Sequence, residues 1–184
     1  PSTLARDATL GALEQADLDV SDIDCILLAT LSGDADFPGT AFFLHDAIDA
    51  GYIPCIDLRS QCSGLLYPLH MADALIVAET YDRVLVVGAE VHSTGLDVST
   101  SGRDVTVIFG DGSGAVILEA TETAGGTAPG LLSVRIHAEG KHAKRLWTEA
   151  PGPAHSPRPD QAMMQAGLCP LYTSDPPDHL PRLH

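Results

Sequence analysis

The sequence predicts an α/β fold in which helices cover both faces of a mostly parallel sheet. Apolar runs of strand length alternate along the chain with stretches of helical periodicity. Two of the runs, Cys25–Ala29 and Val84–Val87, are apolar at every position, which is typical of strands buried on both faces. Because helices separate the strands, right-handed crossovers would make neighbouring strands parallel and place helices on both sides.

The first half of the chain contains two helical and two strand patterns in alternation. Leu4, Ala8 and Ala12 recur at helical spacing, and Ala41, Leu44 and Ile48 suggest a second helix. In chain order we predict a helix over 4–16, an acidic connector over 17–24, a strand over 25–29, a loop over 31–38, a helix from 41 to near 51 and a strand over 54–58.

The second half of the chain continues the alternation. A third helix begins near Gly64 and carries one apolar stripe, formed by Leu65, Leu69, Ala72 and Ile76. A buried strand follows over 83–89, residues 104–109 fit either a strand or a helix, and 110–114 form a tight turn into a strand over 115–119. Residues 131–137 alternate apolar and polar side chains, which predicts an outer strand.

Cys62 is the candidate nucleophile. It follows the strand that ends at Leu58 and precedes the third helix, so a strand-to-helix turn would project its thiol beyond the carboxyl edge of the sheet. The free N–H groups and positive dipole of a helix N-terminus favour a thiolate, which is the reactive form. The placement therefore points to covalent chemistry at this sulfur.

Composition excludes several function classes. The 184 residues are 45% hydrophobic, and 10 basic against 25 acidic residues give a formal charge of −15. A surface this acidic disfavours nucleic acids and anionic membranes as partners. The apolar runs are also shorter than the ~20 residues that a helix needs to span a bilayer. The four cysteines lack C-x-x-C spacing and the histidines lack ligand spacing, so we expect no metal site and a cytoplasmic location.

Three segments in order resemble the β-ketoacyl-acyl-carrier-protein synthase III family of thiolase-fold condensing enzymes. They are Asp57–Tyr67 around Cys62, Arg83–Glu90, and Val107–Ala115 with its Gly110–Gly114 turn. The resemblance implies the N-terminal half of a thiolase-like fold and an acyltransferase of fatty-acid or polyketide type. In that reaction an acyl-CoA acylates Cys62, and malonyl-acyl-carrier protein then condenses with the acyl group in a Claisen step.

The resemblance also implies three substrate-binding residues. Phe37 matches an aromatic residue that reaches across a dimer interface and closes the partner's acyl tunnel, Arg103 matches an arginine that contacts the CoA nucleotide, and Phe109 matches an aromatic residue lining the cavity. Ordinary packing roles for the two phenylalanines, and a solvated surface position for Arg103, remain open alternatives. Acyl-CoA, an acyl-carrier protein and a second copy in a homodimer are the expected partners, and acyl-CoA serves as substrate with no other cofactor.

We expect the chain to be truncated at both ends. Residues 1–150 would form the N-terminal half-domain, 151–168 would begin the connection to a second half, and 169–184 would be a non-native tail. The family completes its site with a histidine and an asparagine from that second half, and no segment here matches their motifs. This fragment is therefore expected to be inactive in condensation.

Other functions remain open. Within the superfamily the chain could serve a hydroxymethylglutaryl-CoA, polyketide or long-chain β-keto synthase. Outside it, a non-catalytic partner subunit would keep the fold, and a thiol-redox protein would need a resolving cysteine, of which Cys55 is the nearest to Cys62.

Overall fold

A computed structural model describes residues 1–100, 102–121 and 130–147. Within these ranges the chain divides into two compact units: Pro1–Val91 with residues 111–121 and 130–136, and the described residues of 92–110 with 137–147. The first unit carries the whole sheet of the described residues. The connection predicted over 151–168 and the tail predicted over 169–184 lie outside the described residues.

Four strands form one mixed sheet in the order β2–β1–β3–β4. They are β1 (Cys25–Ala29), β2 (Cys55–Leu58), β3 (Arg83–Glu90) and β4 (Gly112–Glu119). β1 is parallel to both β2 and β3, while β4 runs antiparallel to β3. The expectation of a mixed, mostly parallel sheet is confirmed, and the parallel strands end at one common edge.

Helices cover both faces of this sheet, as predicted. The helices are α1 (Ser2–Ala16), α2 (Thr40–Ala47) and α3 (Leu66–Val77). Alternate side chains of a strand point to opposite faces, so β1 and β3 supply two cores. One core joins α1 and α2 to Ile26, Leu28, Leu85 and Val87, and the other joins α3 to Cys25, Leu27, Val84 and Val86.

Each of these three helices ends in a left-handed residue that is not glycine. Asp17, Asp49 and Glu79 have φ values of 55°, 51° and 54°. The residue that follows each of them donates its backbone N–H to a carbonyl five residues earlier, in the pairs Leu18–Leu13 (3.1 Å), Ala50–His45 (3.0 Å) and Thr80–Leu75 (2.9 Å). This is the Schellman arrangement, in which glycine is the usual left-handed residue because it carries no Cβ.

The predicted outer strand over 131–137 is wrong, because those residues have no regular secondary structure. In the described part of the chain no strand pairs with this segment; Leu132 is 94% exposed, while Val134 and Ile136 are partly buried. An alternating pattern of apolar and polar residues does not form a strand unless a neighbouring strand is available to hydrogen-bond with it. The ambiguous segment 104–109 instead begins with a short helix, α4 (Arg103–Thr106), in the second unit.

Among the described residues, no helix combines the length and the apolar character that crossing a membrane would require.

Candidate functional site

Cys62 lies in a tight turn between β2 and α3. β2 ends at Leu58, Gln61–Ser63 form one turn of 3₁₀ helix, and α3 begins only at Leu66. The thiol is exposed, in keeping with its position past a strand end. The intervening 3₁₀ turn, which the sequence pattern did not predict, places Cys62 before the first turn of α3 rather than at it.

Two residues of this turn have little conformational choice. Gln61 takes a left-handed φ of 48°, which is strained for a residue with a Cβ. A Cβ added to Gly64 would lie 2.9 Å from the carbonyl oxygen of Gln61, so a larger residue would push the turn open. The Ser63 hydroxyl donates a hydrogen bond of 3.1 Å to the carbonyl oxygen of Ser60. The backbone around Cys62 is therefore closely defined.

The turn packs on the carboxyl ends of the central strands. A Cβ built on Gly64 would be in van der Waals contact, at 3.5 Å, with Cβ of Ala29 at the end of β1. Leu65 Cδ1 similarly approaches Gly88 of β3, at 3.4 Å from a Cβ built there. In open parallel sheets this edge is where ligands bind. Cys62 is thus presented beside the ends of three parallel strands.

The described cysteines differ in their exposure to solvent. Cys25 is fully buried, and burial, followed by the nearby Cys55 and Asp24, raises its pKa from 9.0 to about 11. Burial, with a smaller contribution from Asp57, also raises the pKa of the half-buried Cys55 thiol. Both thiols therefore stay protonated at neutral pH, and of the three cysteines in the described ranges Cys62 is the exposed one.

Phe37 lies in the same unit as Cys62, in the loop between β1 and α2. Its side chain is 89% exposed, and the bond that joins it to Pro38 is cis. An ordinary core position, one of the alternatives for this residue, does not fit that exposure. A phenylalanine whose side chain is exposed to solvent can contact a ligand or the surface of another protein.

Arg103 and Phe109 belong to the second unit. Arg103, at the start of α4, has an exposed side chain whose Nε lies 3.7 Å from an oxygen of the adjacent Asp104. Phe109 is partly buried and packs edge-on against the ring of His92, with ring centroids 5.0 Å apart. The exposed guanidinium of Arg103 can bind a phosphate. The ring of Phe109 has a defined position within its unit because it packs against His92.

Two acidic residues near this edge, Asp57 and Glu90, make structural contacts that were not predicted from the sequence. Both oxygens of Asp57, in β2, accept the backbone N–H of Ala41 at 3.1 and 3.0 Å, at the start of α2. Glu90, the last residue of β3, accepts the backbone N–H of Leu31 at 2.8 Å. Burial raises the pKa of Asp57, although its hydrogen bonds from Ala41 and Thr40 oppose the shift. The signal that could have found them is a carboxylate within or ending an apolar strand, where an unpaired charge is costly.

No metal centre is evident in the described ranges, where histidine, cysteine and carboxylate side chains nowhere gather in groups of three or more.

Comparison with known proteins relates the chain to one group. The family model described as 3-oxoacyl-[acyl-carrier-protein (ACP)] synthase III matches residues 56–140. The β-ketoacyl-[acyl-carrier-protein] synthase III of Erythrobacter litoralis is 43% identical over 154 residues, which cover 83% of this chain and 46% of that protein. The chain thus spans about half the length of the relatives it matches.

Solved structures agree with this relationship. The 3-oxoacyl-[acyl-carrier-protein] synthase III of Aquifex aeolicus superposes with a TM-score of 0.71 at 34% identity, over 79% of this chain and 45% of that one. The corresponding enzyme of Thermus thermophilus gives a TM-score of 0.73 at 32% identity, over 83% of this chain and 45% of that one. The thiolase-like fold expected for the chain is confirmed.

Proposed function

Because the chain belongs to the 3-oxoacyl-[acyl-carrier-protein] synthase III family, we propose that Cys62 is an acyl-accepting nucleophile of a condensing enzyme. The observation that carries the proposal is the exposed thiol in a closely defined turn at the carboxyl edge of the sheet. Among the described cysteines the other two, Cys25 and Cys55, are buried or half-buried. The substrate class is an acyl-CoA, and the reaction is acyl transfer followed by Claisen condensation.

The first half-reaction is thioester exchange. The Cys62 thiolate attacks the carbonyl carbon of acyl-CoA and forms a carbon–sulfur bond, and the tetrahedral intermediate then collapses with cleavage of the bond to CoA. The CoA thiolate leaves and takes up the proton that Cys62 lost. A backbone N–H of the turn, that of Cys62 itself, is the proposed donor to the intermediate's oxyanion, since preorganised donors stabilise such charge.

The second half-reaction forms the new carbon–carbon bond. Malonyl-acyl-carrier protein loses CO₂, its carbanion attacks the thioester carbonyl on Cys62, and the thiolate leaves, giving a β-ketoacyl product on the carrier. The histidine and asparagine that the resemblance assigns to this step belong to the family's second half. We therefore propose acylation for this chain and the complete condensation for a full-length protein.

The substrate-binding assignments are part of the same proposal. Arg103 binds the CoA nucleotide through its exposed guanidinium, which can pair with phosphate oxygens. As the resemblance implies, Phe109 lines the acyl cavity. The exposed ring of Phe37 closes the acyl tunnel of the second copy in a homodimer. CoA is a substrate here, and the two transfers need no redox group or metal.

We also propose that the chain pairs with a second copy through the outer edge of β2. Within the described sheet β2 hydrogen-bonds only to β1, so its other edge offers free backbone groups. Exposed apolar side chains accompany this edge: Ile56 on β2, Phe42 on α2 and Tyr52 before β2. Edge pairing of this kind would bury them and join two sheets.

Acyl transfer is tested with a radiolabelled acyl-CoA and mass mapping of the labelled peptide. Label on Cys62, lost in Cys62→Ala and kept in the matched variant Cys55→Ala, is the expected result. Absence of label, or label on Cys25 or Cys55, would overturn the proposal. A disulfide between Cys55 and Cys62 in place of the label would favour a thiol-redox function.

Pairing is tested by sedimentation velocity. Ile56→Lys should shift the chain from dimer to monomer, because a charge on an edge strand opposes pairing. Val98→Lys, which alters an exposed valine of the second unit, is the matched control and should sediment as the unchanged chain does. A monomeric unchanged chain, or a dimer that survives Ile56→Lys, would contradict this arrangement.

A further inference from the structure

Gln61, the residue before Cys62, has a left-handed backbone that no helix end explains. Among the described residues other than glycine, four have a left-handed backbone, and Asp17, Asp49 and Glu79 each close a Schellman arrangement. Gln61 has a φ of 48°, and its exposed side chain means that side-chain packing does not impose this conformation. Backbone strain of this kind persists where surrounding contacts hold it, and it is common at active sites.

The contacts of Gly64 hold Gln61 in this conformation. Gly64 donates its backbone N–H to the carbonyl oxygen of Gln61 at 2.8 Å. Gly64 is buried, and a Cβ built on it would lie 2.9 Å from the same oxygen and 3.5 Å from Cβ of Ala29 at the end of β1. The Gln61 carbonyl is therefore fixed against Gly64, and Gly64 is fixed against the sheet.

The direction of the Gln61 carbonyl sets the direction of the Cys62 N–H. The peptide bond between the two residues is trans, and in a planar trans peptide the C=O and the N–H point in opposite directions. Because the C=O is bonded to Gly64, the Cys62 N–H points away from Gly64 and takes no part in that bond. The same residue carries the exposed thiol, so its amide and its sulfur are presented together.

We propose that Gln61 is a positioning residue for acyl transfer. Its left-handed backbone rotates the peptide that it shares with Cys62, so that the Cys62 N–H donates to the oxyanion formed when the thiolate attacks an acyl thioester. The inference rests on the proposed acylation of Cys62 and adds the residue that aims its oxyanion donor. Gln61 touches no reacting atom, and it acts through its backbone rather than its side chain.

The test uses substitutions that differ in their tolerance of a left-handed backbone. Gln61→Asn introduces a residue that tolerates positive φ, whereas Gln61→Val introduces a β-branched residue for which such a φ is an outlier. Asp17→Val makes the β-branched change at the exposed left-handed residue that ends α1, and it is the matched control. Gln61→Thr, which is also β-branched, replaces Gln61→Val if that variant does not fold.

The rate at which acetyl-CoA acylates Cys62 is compared with the rate at which iodoacetamide alkylates it. Both reactions need the thiolate, but only acylation passes through an oxyanion. We expect Gln61→Val to slow acylation by about tenfold or more and to change alkylation at each pH by less than about twofold. Gln61→Asn and Asp17→Val should react as the unchanged chain does in both assays.

Hydrogen exchange at Gly64 provides the second measurement. Its amide should exchange about tenfold faster or more in Gln61→Val, because the carbonyl that accepts it turns away. In Gln61→Asn the same amide should exchange as it does in the unchanged chain. A left-handed residue that merely closed the turn would alter this exchange without separating acylation from alkylation.

The outcomes separate this inference from the proposal on which it rests. If Gln61→Val is acylated on Cys62 as fast as the unchanged chain, the positioning role is overturned and acyl transfer stands. Equal slowing of acylation in Gln61→Asn overturns the role of the backbone, and equal slowing of acylation and alkylation in Gln61→Val overturns the aiming of the N–H. Unaltered exchange at Gly64 in Gln61→Val overturns the link between Gln61 and the turn. An unchanged chain that takes no label on Cys62 overturns both proposals.

Discussion

Replacing Gly39 by alanine should break the contact between β2 and the start of α2. Gly39 has φ −67° and ψ 158°, an extended conformation that alanine adopts without strain, so the effect is purely one of space. The new Cβ would lie 2.5 Å from Asp57 Cγ and 3.1 Å from Oδ1, and closer still to Oδ2. Because nonbonded carbons separate to ~3.5 Å, the carboxyl group must withdraw by about 1 Å.

That withdrawal determines the energetic cost. The bonds from Ala41 N–H to Asp57 are 3.1 and 3.0 Å long, and about 1 Å more takes them beyond hydrogen-bonding distance. A hydrogen bond to a charged group contributes ~1.5–3 kcal/mol, and the N-terminus of α2 loses its acceptor at the same time. We expect Gly39→Ala to lower the free energy of unfolding by about 2 kcal/mol.

Urea unfolding followed by circular dichroism measures this change, with Gly11→Ala as the matched control. A Cβ on Gly11 would meet nothing within 4 Å in the interior of α1, so alanine there should stabilise the chain by ~0.5–1 kcal/mol. In an Asp57→Ala background Gly39→Ala should cost almost nothing, which gives a coupling energy of about 2 kcal/mol. Additive effects in this cycle, or a Gly39→Ala variant as stable as the unchanged chain, would refute the reasoning.

Three further predictions concern the thiols and their turn. Iodoacetamide should modify Cys62 at least about 100-fold faster than Cys25 in the folded chain, as peptide mass mapping would show, and equal rates would contradict the burial of Cys25. Because the pKa of Cys25 is raised from 9.0 to about 11 on folding, its contribution to stability is fully present below pH 9.0 and is lost as the pH rises towards 11. The loss approaches about 3 kcal/mol. Urea unfolding at a series of pH values should show that the free energy of unfolding of Cys25→Ala falls less steeply between pH 9 and 11 than that of the unchanged chain. An equally steep fall in both would count against this account. Gly64→Ala should slow acylation of Cys62 by about tenfold but change its alkylation by iodoacetamide much less. The reason is that acyl transfer depends on the alignment of the turn, whereas alkylation does not. Equal slowing of both reactions would argue against that alignment.

The buried strands could be predicted because their signal is local. Cys25–Ala29 is apolar throughout and forms β1 with those bounds, and the run at Arg83 extends only one residue further than predicted, to Glu90. Between two helix layers every position of a strand is covered, so continuous apolarity and structure correspond. The strand predicted over 131–137 was wrong because its signal was only local. The segment has the alternating pattern of a strand, but a strand also needs a neighbouring strand with which to form hydrogen bonds.

The candidate site was predictable in part. The order of a strand, a cysteine and a helix placed Cys62 at the sheet edge, yet the 3₁₀ turn before α3 depends on the contacts of Gly64 and Leu65 with β1 and β3. The roles of Asp57 and Glu90 depend on backbone N–H groups 16 and 59 residues away in the sequence. Which amide faces which carboxylate is decided by sheet order, and that order follows from the packing of the whole unit.

The left-handed residues of the chain divide into two groups for anyone who wishes to engineer it. Asp17, Asp49 and Glu79 end helices, and glycine at any of them would relieve a backbone conformation that costs an L-residue about 1 kcal/mol, at sites remote from the thiol in sequence. Gln61 has the same backbone strain but adjoins Cys62. A stabilised version of this protein should therefore change the three helix ends and keep Gln61, because relaxing that position would give up the rigidity of the turn that presents the nucleophile.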